Sequence, residues 1–185
     1  MEDKVCPVWV GYLLLSPFRK LRQNPKKILA PYINEGMKTL DFGCAMGFFS
    51  LPMARMVGSR GKVICVDVQE KMIKKLQKRA KKAGLLNRME TRICYQDSIG
   101  LEYLKEEIDF ALAFSVVHEV PDAAALFSAI NQTLKPGGKL LVAEPDGHVS
   151  GQDFEITISV SEHNGFKIID NPKIGRSRTV LLGKK

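Results

Sequence analysis

Long apolar runs are missing from this sequence. Near its start, the uninterrupted apolar or glycine run Val8–Leu15 is eight residues long, whereas crossing a bilayer takes about 20 residues. Glu2 and Asp3 precede this run where a secretory signal carries basic residues, and Pro17 follows it where a small-residue cleavage site is needed. We therefore expect no transmembrane segment and a cytoplasmic protein.

Cysteine pairs, internal repeats and Pro/Gly-rich linkers are also absent from the 185 residues. The four cysteines are dispersed and form no C-x-x-C pair, which argues against a disulfide framework and against zinc spacing. Reduced and mostly buried thiols are the simpler interpretation. With 45% hydrophobic and 26% charged residues, the composition is that of one ordinary globular domain, long enough to bury a sizeable core.

What the sequence does contain, from residue 37 onward, is an alternation of short apolar runs with longer amphipathic segments. That alternation predicts parallel strands joined by crossover helices. The predicted strands are "MKTLDFG", "KVICVDV", "RMETRICYQ", "DFALAFSVV", "KLLVAEP", "FKIID" and "TVLLGK".

Helices are predicted at 47–57, 69–83, around 98–105, and 122–134, the last with Asp122 as its N-cap and Pro136 as part of its stop. The segment "GQDFEITISVSEHNGF" contains conflicting signals, because its β-branched residues favour a strand while Asp153 could cap a helix. Since a parallel sheet needs a crossover at this point, we predict a helix.

Positive charge is concentrated in one region of a chain whose formal net charge is +8. Eleven Lys or Arg lie between Arg60 and Arg92, against three acidic residues. Helical spacing of "KMIKKLQKRAKKAG" places its apolar residues on one face, so a solvated helix face is the simpler interpretation. The alternative is that the basic helix at 70–82 attracts RNA or another acidic surface.

The stretch "TLDFGCAMGFFSLP" predicts a strand that turns sharply into a helix around a ligand. In an open parallel sheet, ligands bind beyond the carboxyl ends of the strands, where such a turn lies. The spacing is D-x-G-x-A-x-G, with small residues at Gly43, Ala45 and Gly47 behind Asp41. A dinucleotide motif would need a third glycine at Phe48, so that motif fails.

The other strand ends agree with this turn. The second predicted strand ends in Asp67, the third in "YQDS", the fourth in "SVVHEVPD", and "LKPGGKLLVAEP" introduces the fifth. With these five motifs in order over about residues 30–185, the chain resembles the class I S-adenosylmethionine-dependent methyltransferases. The resemblance is closest to the small-molecule branch that includes the ubiquinone and menaquinone biosynthesis C-methyltransferases. Ala45 in place of the usual second glycine, and the thiol of Cys44, depart from the pattern.

This resemblance implies an α/β fold: a Rossmann-like, doubly wound, seven-stranded and mostly parallel sheet with helices on both faces and strand order 3-2-1-4-5-7-6. It implies S-adenosyl-L-methionine as cofactor and S-adenosyl-L-homocysteine as product. Asp67 would accept the ribose hydroxyls, Asp97 with Ser98 would meet the adenine amine, and Asp41 would orient the loop or reach the ammonium group through water. The remaining expected cofactor contacts are Gly43, Cys44, Ala45 and Gly47 at the methionine moiety, Val68, Gln69 and Met72 beside adenine, and Phe114 and Ser115 at the methionine end.

Two histidines and several carboxylates follow the fourth and fifth strands. His118 is the first candidate for a general base and His148 the second, while Glu119 and Glu144 are candidate substrate-binding residues. His118 could instead satisfy loop backbone groups. A metal site formed by both histidines and a carboxylate is a weaker alternative, and the working expectation is no metal. "SVVHEV" lacks the N-P-P-Y pattern of exocyclic-amine DNA methylation.

Residues 1–36 are expected to form an N-terminal helical cap on the methyltransferase domain at 37–185. Trp9, Tyr12 and Phe18 would roof the acceptor site, or would simply pack on the sheet.

The leading hypothesis is methyl transfer from S-adenosylmethionine to an unidentified acceptor, with a small molecule as the partner. The alternatives are an RNA- or protein-modifying methyltransferase and a non-catalytic S-adenosylmethionine-binding protein. The scattered cysteines argue against arsenite methylation. The sequence leaves the acceptor atom and the oligomeric state open.

Overall fold

A computed structural model describes residues 23–94 and 99–185 of the chain. The predictions for Trp9, Tyr12 and Phe18, and those for Asp97 and Ser98, lie outside the described residues. In the part that is described, no helix combines the length and the apolar character needed to span a membrane. The chain divides into two compact units, Met1–Tyr95 and Gln96–Lys185.

The first unit alternates strands and helices. Its strands pair in parallel, β1 with β2 and β2 with β3. The elements are α1 (Pro25–Leu29), β1 (Lys38–Phe42), α2 (Ser50–Met56), β2 (Lys62–Asp67), α3 (Glu70–Lys82), a 3-10 turn (Leu86–Arg88) and β3 (Met89–Ile93).

The second unit begins with the same alternation and ends with antiparallel pairing. β4 pairs in parallel with β5, whereas β7 is antiparallel to both β5 and β6. The elements are β4 (Ile108–Phe114), a 3-10 turn (Val117–Glu119), α4 (Ala123–Thr133), β5 (Leu134–Pro145), α5 (Gly151–His163), β6 (Phe166–Asp170) and β7 (Ser177–Lys184).

The seven strands follow the order β3-β2-β1-β4-β5-β7-β6, so the predicted fold class is confirmed. Nearly every residue of β1, β2 and β4 is buried. Burial without alternation means that both faces of these strands are covered, which leaves the strand ends as the places where polar groups can meet a ligand.

Caps and periodicity explain the long helices. In α3, Met72, Ile73, Leu76 and Ala80 are buried and the intervening lysines are exposed, as the spacing predicts. The Asp122 side chain accepts a hydrogen bond from the Ala125 N–H at 2.8 Å and starts α4. The predicted helix before β6 is confirmed as α5, but its cap is Ser150, which accepts the Asp153 N–H at 3.1 Å.

The expected helix around 98–105 is wrong over its described residues, which form turns. Gly100 and Glu106 have positive φ values of 73° and 53°, a conformation that ends any right-handed helix. The apolar signal came from Leu101 and Leu104, which are buried all the same. The helix expected from residue 47 begins at Ser50 because Gly47 has φ of 83°, and β5 begins at Leu134, earlier than expected.

Candidate functional site

The turn after β1 is shaped by three residues with left-handed backbone angles. Gly43, Ala45 and Gly47 have φ values of 75°, 44° and 83°. Ala45 is unusual here, because a side chain makes this conformation costly by about 1–2 kcal/mol. A Cβ atom on Gly47 would lie 2.3 Å from Leu76 Cδ1 of α3, so this glycine lets the turn pack closely on that helix.

Asp67, at the carboxyl end of β2, is hydrogen-bonded to the same turn. Its Oδ2 accepts the Ala45 N–H at 2.8 Å and its Oδ1 accepts the Gln69 N–H at 2.9 Å. The residue is only 8% exposed. Burial raises the pKa of Asp67, and these two backbone hydrogen bonds oppose part of that rise. Each carboxylate oxygen keeps a further lone pair that could accept a ligand hydroxyl.

Several amides of this turn are hydrogen-bonded within the fold, and the expected contacts of Gly43, Cys44, Ala45 and Gly47 with the methionine moiety stay predictions. The N–H groups of Gly43 and Cys44 donate to the Val66 carbonyl at 2.9 and 3.0 Å, and the Gly47 N–H donates to the Cys44 carbonyl at 2.9 Å. With Ala45 bound to Asp67, four loop amides are already used within the fold.

Two side chains that sequence reasoning missed support this turn. Ser50 Oγ donates to Asp41 Oδ2 at 2.5 Å, and both residues are buried. The Arg79 guanidinium of α3 donates to the Met46 carbonyl. Asp41 is thereby linked to the first residue of α2, and its expected role of orienting the loop or reaching the ammonium group stays a prediction. In the sequence, the one available signal for the Ser50 contact was a hydroxyl residue nine positions after the acidic Asp41. No local pattern indicated the Arg79 contact.

The thiols near the turn are buried. Burial raises the pKa of both Cys44 and Cys65 well above the usual range, and it raises the pKa of Cys94 to about 11. Because the thiolate is the reactive form, these cysteines are inert packing residues at neutral pH. Cys44 therefore departs from the family pattern without adding a nucleophile.

The residues expected beside adenine differ in exposure. Val68 is exposed and Gln69 is the N-cap residue of α3. Met72 lies on the buried face of that helix. Their proposed contacts with adenine stay predictions.

This first-unit arrangement fits an adenosine cofactor. A buried carboxylate with spare lone pairs lies at the end of β2 and is hydrogen-bonded to a turn whose small residues Gly43, Ala45 and Gly47 have left-handed backbone angles. A vicinal diol such as ribose is the group that a carboxylate can bind through two hydrogen bonds.

The second unit contains the polar groups expected at the acceptor. β4 ends at Phe114, which is buried, and Ser115 follows with φ of 56° and its N–H donating to the Ala143 carbonyl at 2.7 Å. This left-handed residue turns the chain into the 3-10 turn Val117–Glu119. His118 and Glu119 therefore lie directly beyond the carboxyl end of β4.

Glu144 joins this turn to β5. The residue is 1% exposed, and its Oε1 accepts the N–H groups of Val117 at 2.8 Å and Val116 at 3.3 Å. Its Oε2 is hydrogen-bonded to His118 Nδ1. Because an ionised carboxylate only accepts hydrogen bonds, Nδ1 carries the proton and the lone pair of neutral His118 is on Nε2. The hydrogen bond that His118 donates to Glu144 raises the pKa of His118, against the lowering effect of partial burial.

Two further polar groups lie near the His118 ring. Glu119 Oε1 lies 4.0 Å from His118 Nε2. The rings of His118 and His148 stand edge to face with centroids 6.1 Å apart. Among residues 23–94 and 99–185, no group of three His, Cys, Asp or Glu is arranged to hold a metal ion, so the metal alternative gains no support. The structure thus brings together four of the predicted acceptor-site residues: His118, Glu119, Glu144 and His148.

A seven-stranded sheet of this order, with acidic residues at the ends of β1 and β2, defines the class I methyltransferase type of Rossmann-like fold. Residues 33–173 match the family model described as a methyltransferase domain, and the chain belongs to that family. The expected family, with S-adenosyl-L-methionine as methyl donor, is confirmed at this level.

Individual proteins agree with this assignment. The chain is 29% identical over 140 residues to the ubiquinone/menaquinone biosynthesis C-methyltransferase UbiE of a Shewanella species, covering 76% of this chain and 53% of that protein. A solved structure of a SAM-dependent methyltransferase from Aquifex aeolicus matches with a TM-score of 0.84 at 22% identity, over 97% of this chain and 98% of that one.

A second solved structure is geranyl diphosphate C-methyltransferase from Streptomyces coelicolor A3(2), in complex with Mg²⁺, geranyl diphosphate and S-adenosyl-L-homocysteine. It matches with a TM-score of 0.68 at 14% identity, over 88% of this chain and 79% of that one. At these identities the solved structures show the fold. The chain spans about half the length of the curated relatives it matches.

Proposed function

We propose that this protein transfers a methyl group from S-adenosyl-L-methionine to a small organic acceptor, and that His118 removes a proton from the acceptor's nucleophilic atom. The observation that carries the proposal is the hydrogen bond between buried Glu144 and His118 Nδ1. This bond directs the basic Nε2 atom away from Glu144.

Glu144 has two functions in this mechanism. Its Oε1 holds the backbone of the turn that bears His118, and its Oε2 stabilises the imidazolium that forms when Nε2 accepts a proton. The raised pKa of His118 makes the imidazole a stronger base. Glu119 lies 4.0 Å from Nε2 and the centroid of the His148 ring lies 6.1 Å from that of the His118 ring, so both are near enough to bind or orient the acceptor.

In the first unit, Asp67 would hold the ribose hydroxyls, and Asp41 with Ser50 would keep the turn in position. S-adenosyl-L-methionine supplies an electrophilic methyl group when bound. Val68, Gln69 and Met72 are proposed to border the adenine ring, with Phe114 and Ser115 near the methionine end.

A base is required only where the nucleophile must lose a proton. The pair formed by Glu144 and His118 therefore favours a hydroxyl or an activated carbon acid as acceptor. The curated relatives named as ubiquinone/menaquinone biosynthesis C-methyltransferases support a small molecule of this kind. A cytoplasmic location is proposed with it.

The test is a screen of metabolite, quinone, protein and RNA pools with methyl-labelled cofactor, followed by kinetics of His118→Gln on the acceptor found. We expect kcat/KM to fall about 10²- to 10⁴-fold, the usual contribution of a general base, while cofactor affinity measured by calorimetry stays within about twofold of wild type. His163→Gln is the matched control, because His163 is exposed on α5 and bonds only its own helix. Wild-type turnover by His118→Gln across the pH range would exclude His118 as the base. Cofactor binding with no turnover on any pool would instead favour a non-catalytic binding protein.

A further inference from the structure

The excess of positive over negative charge lies in one of the two units of the protein. Residues 23–94 contain 15 Lys or Arg against five Asp or Glu, a net charge of +10, whereas residues 99–185 contain nine against 12, a net charge of −3. The net charge of the first unit therefore differs in sign from that of the second unit. A local excess of this size creates a surface potential that attracts polyanions.

Helix α3 arranges four of these charges in a line. Lys71, Lys75, Lys78 and Lys82 are spaced at four, three and four residues, which places them on one face of the helix. All four are exposed. At 1.5 Å per residue the row is about 16 Å long. We call these four residues the lysine row.

Other cations of this unit are engaged in the fold. Arg79 and Arg88 donate to the carbonyls of Met46 and Ala54, Lys62 donates to the carbonyl of Asn87, and Arg92 pairs with Glu90. In contrast, no ion pair within the described ranges joins Lys71, Lys78 or Lys82 to an acidic residue. The nearby Glu70 pairs with Lys74, which lies beside the row.

The chemistry of the lysine row favours one class of partner. A membrane-binding helix needs an apolar face to insert, but the apolar face of α3 is packed inside the protein, where Met72, Ile73 and Leu76 are at most 4% exposed. A protein interface is built around apolar and aromatic residues and is depleted in lysine, and the row has no such residue between its lysines. A regular series of point cations matches the phosphate backbone of a nucleic acid.

We propose that the lysine row is a docking surface for single-stranded RNA. A single line of cations contacts one phosphate strand and contains no aromatic side chain or amide positioned to recognise bases, so binding is independent of sequence. The partner is bound whatever the methyl acceptor is, and this inference does not rest on His118.

The test measures the anisotropy of a fluorescein-labelled, unstructured 20-nucleotide RNA titrated with the full chain in 50 to 200 mM NaCl, without cofactor. Four phosphate contacts on a single strand give log K a slope near −2.8 against log salt, which is about a 50-fold loss of affinity over this range. We expect the variant with all four row lysines changed to Gln to bind at least about tenfold more weakly at 50 mM NaCl and to lose about three from that slope. Gln has a helix propensity similar to that of Lys, and circular dichroism verifies the fold.

The matched control changes Lys105, Lys139, Lys167 and Lys173 to Gln. These four lysines are exposed in the second unit, so the change in net charge is identical. Retained affinity and slope in this control, together with loss in the row variant, support the proposal. An equal loss in both variants, or no RNA binding by wild type at 50 mM NaCl, overturns it. Tighter binding to phosphatidylserine vesicles or to a 20-base-pair DNA duplex than to the RNA overturns the choice of partner.

Discussion

Asp67 carries two structural hydrogen bonds and the proposed cofactor contact in one carboxylate. Because Ala45 has a strained backbone angle and its N–H is held by this side chain, Asp67 stabilises the turn as well as any bound ribose. We therefore expect loss of the carboxylate to weaken cofactor binding first and to lower the stability of the fold only second.

We predict that Asp67→Ala weakens S-adenosyl-L-methionine binding by about 1.5–3 kcal/mol, the range for hydrogen bonds to a charged group. Isothermal titration calorimetry measures the change. Glu155→Ala, which removes an exposed carboxylate from α5, should bind the cofactor like wild type. An unchanged dissociation constant in Asp67→Ala would refute the ribose assignment.

The bond between Glu144 and His118 gives the reaction a pH dependence of known sign. A general base acts in its neutral form, and the hydrogen bond to Glu144 raises the pKa of His118 above the usual range of a histidine. The acid limb of kcat/KM in the wild type should therefore lie at higher pH than it would for an unperturbed histidine. In Glu144→Gln the charged partner is gone, so we predict that the acid limb moves to lower pH while the plateau rate falls.

Profiles of kcat/KM from pH 5 to 9 check this shift, and NMR titration of the histidine ring protons gives the pKa of His118 directly. His163, exposed on α5, serves as an internal reference in the same spectra. If the acid limb and the His118 titration were the same in Glu144→Gln as in wild type, Glu144 would have no influence on the pKa of His118.

At the scale of elements, periodicity and caps predict α3 and α4 because their signals lie within one helix. The turns at 99–107 were not predicted because nothing in the sequence indicates that Glu106, a charged residue, adopts a positive φ. Asp67 could be assigned from its place at a strand end. The contacts of Glu144 with His118 and of Arg79 with Met46 join residues 26 and 33 positions apart, so only the folded chain reveals them.

Gly61 lies where the backbones of two other segments of the first unit approach closely. A Cβ atom there would lie 2.5 Å from the Met37 carbonyl oxygen and 2.6 Å from that of Val57. Backbone atoms cannot rotate away as a side chain can, so the strand that starts at Lys62 would have to shift. We predict that Gly61→Ala lowers the free energy of unfolding by about 1–3 kcal/mol, the usual cost of overpacking.

Urea denaturation measures this change, with Gly147→Ala as control. A Cβ atom on Gly147 meets nothing within 4 Å, so that variant should stay within about 0.5 kcal/mol of wild type. Equal stability of the two variants would show that the first unit relaxes around an added methyl group.

At the scale of the whole molecule, the unequal charge of the two units makes stability depend on salt. Like charges in residues 23–94 repel one another in the folded state, and salt screens exposed charges over about 10 Å at 0.1 M. Raising NaCl from 0.05 to 0.3 M should therefore stabilise the protein by about 1 kcal/mol, which corresponds to a rise in Tm of about 2–4 °C for a chain of this size.

The lysine row should account for much of this response. Changing its four lysines to Gln removes repulsion inside the basic unit, so we predict a higher Tm at 0.05 M NaCl and a smaller rise with salt. Changing Lys105, Lys139, Lys167 and Lys173 removes the same charge from a unit that is already acidic, which relieves no repulsion and should leave the rise of Tm with salt at least as large as in the wild type. Differential scanning calorimetry of the three proteins at pH 7 measures both quantities. Identical salt responses in all three would mean that the cations of α3 are too well solvated to repel one another, and the potential that attracts RNA would then be weak as well.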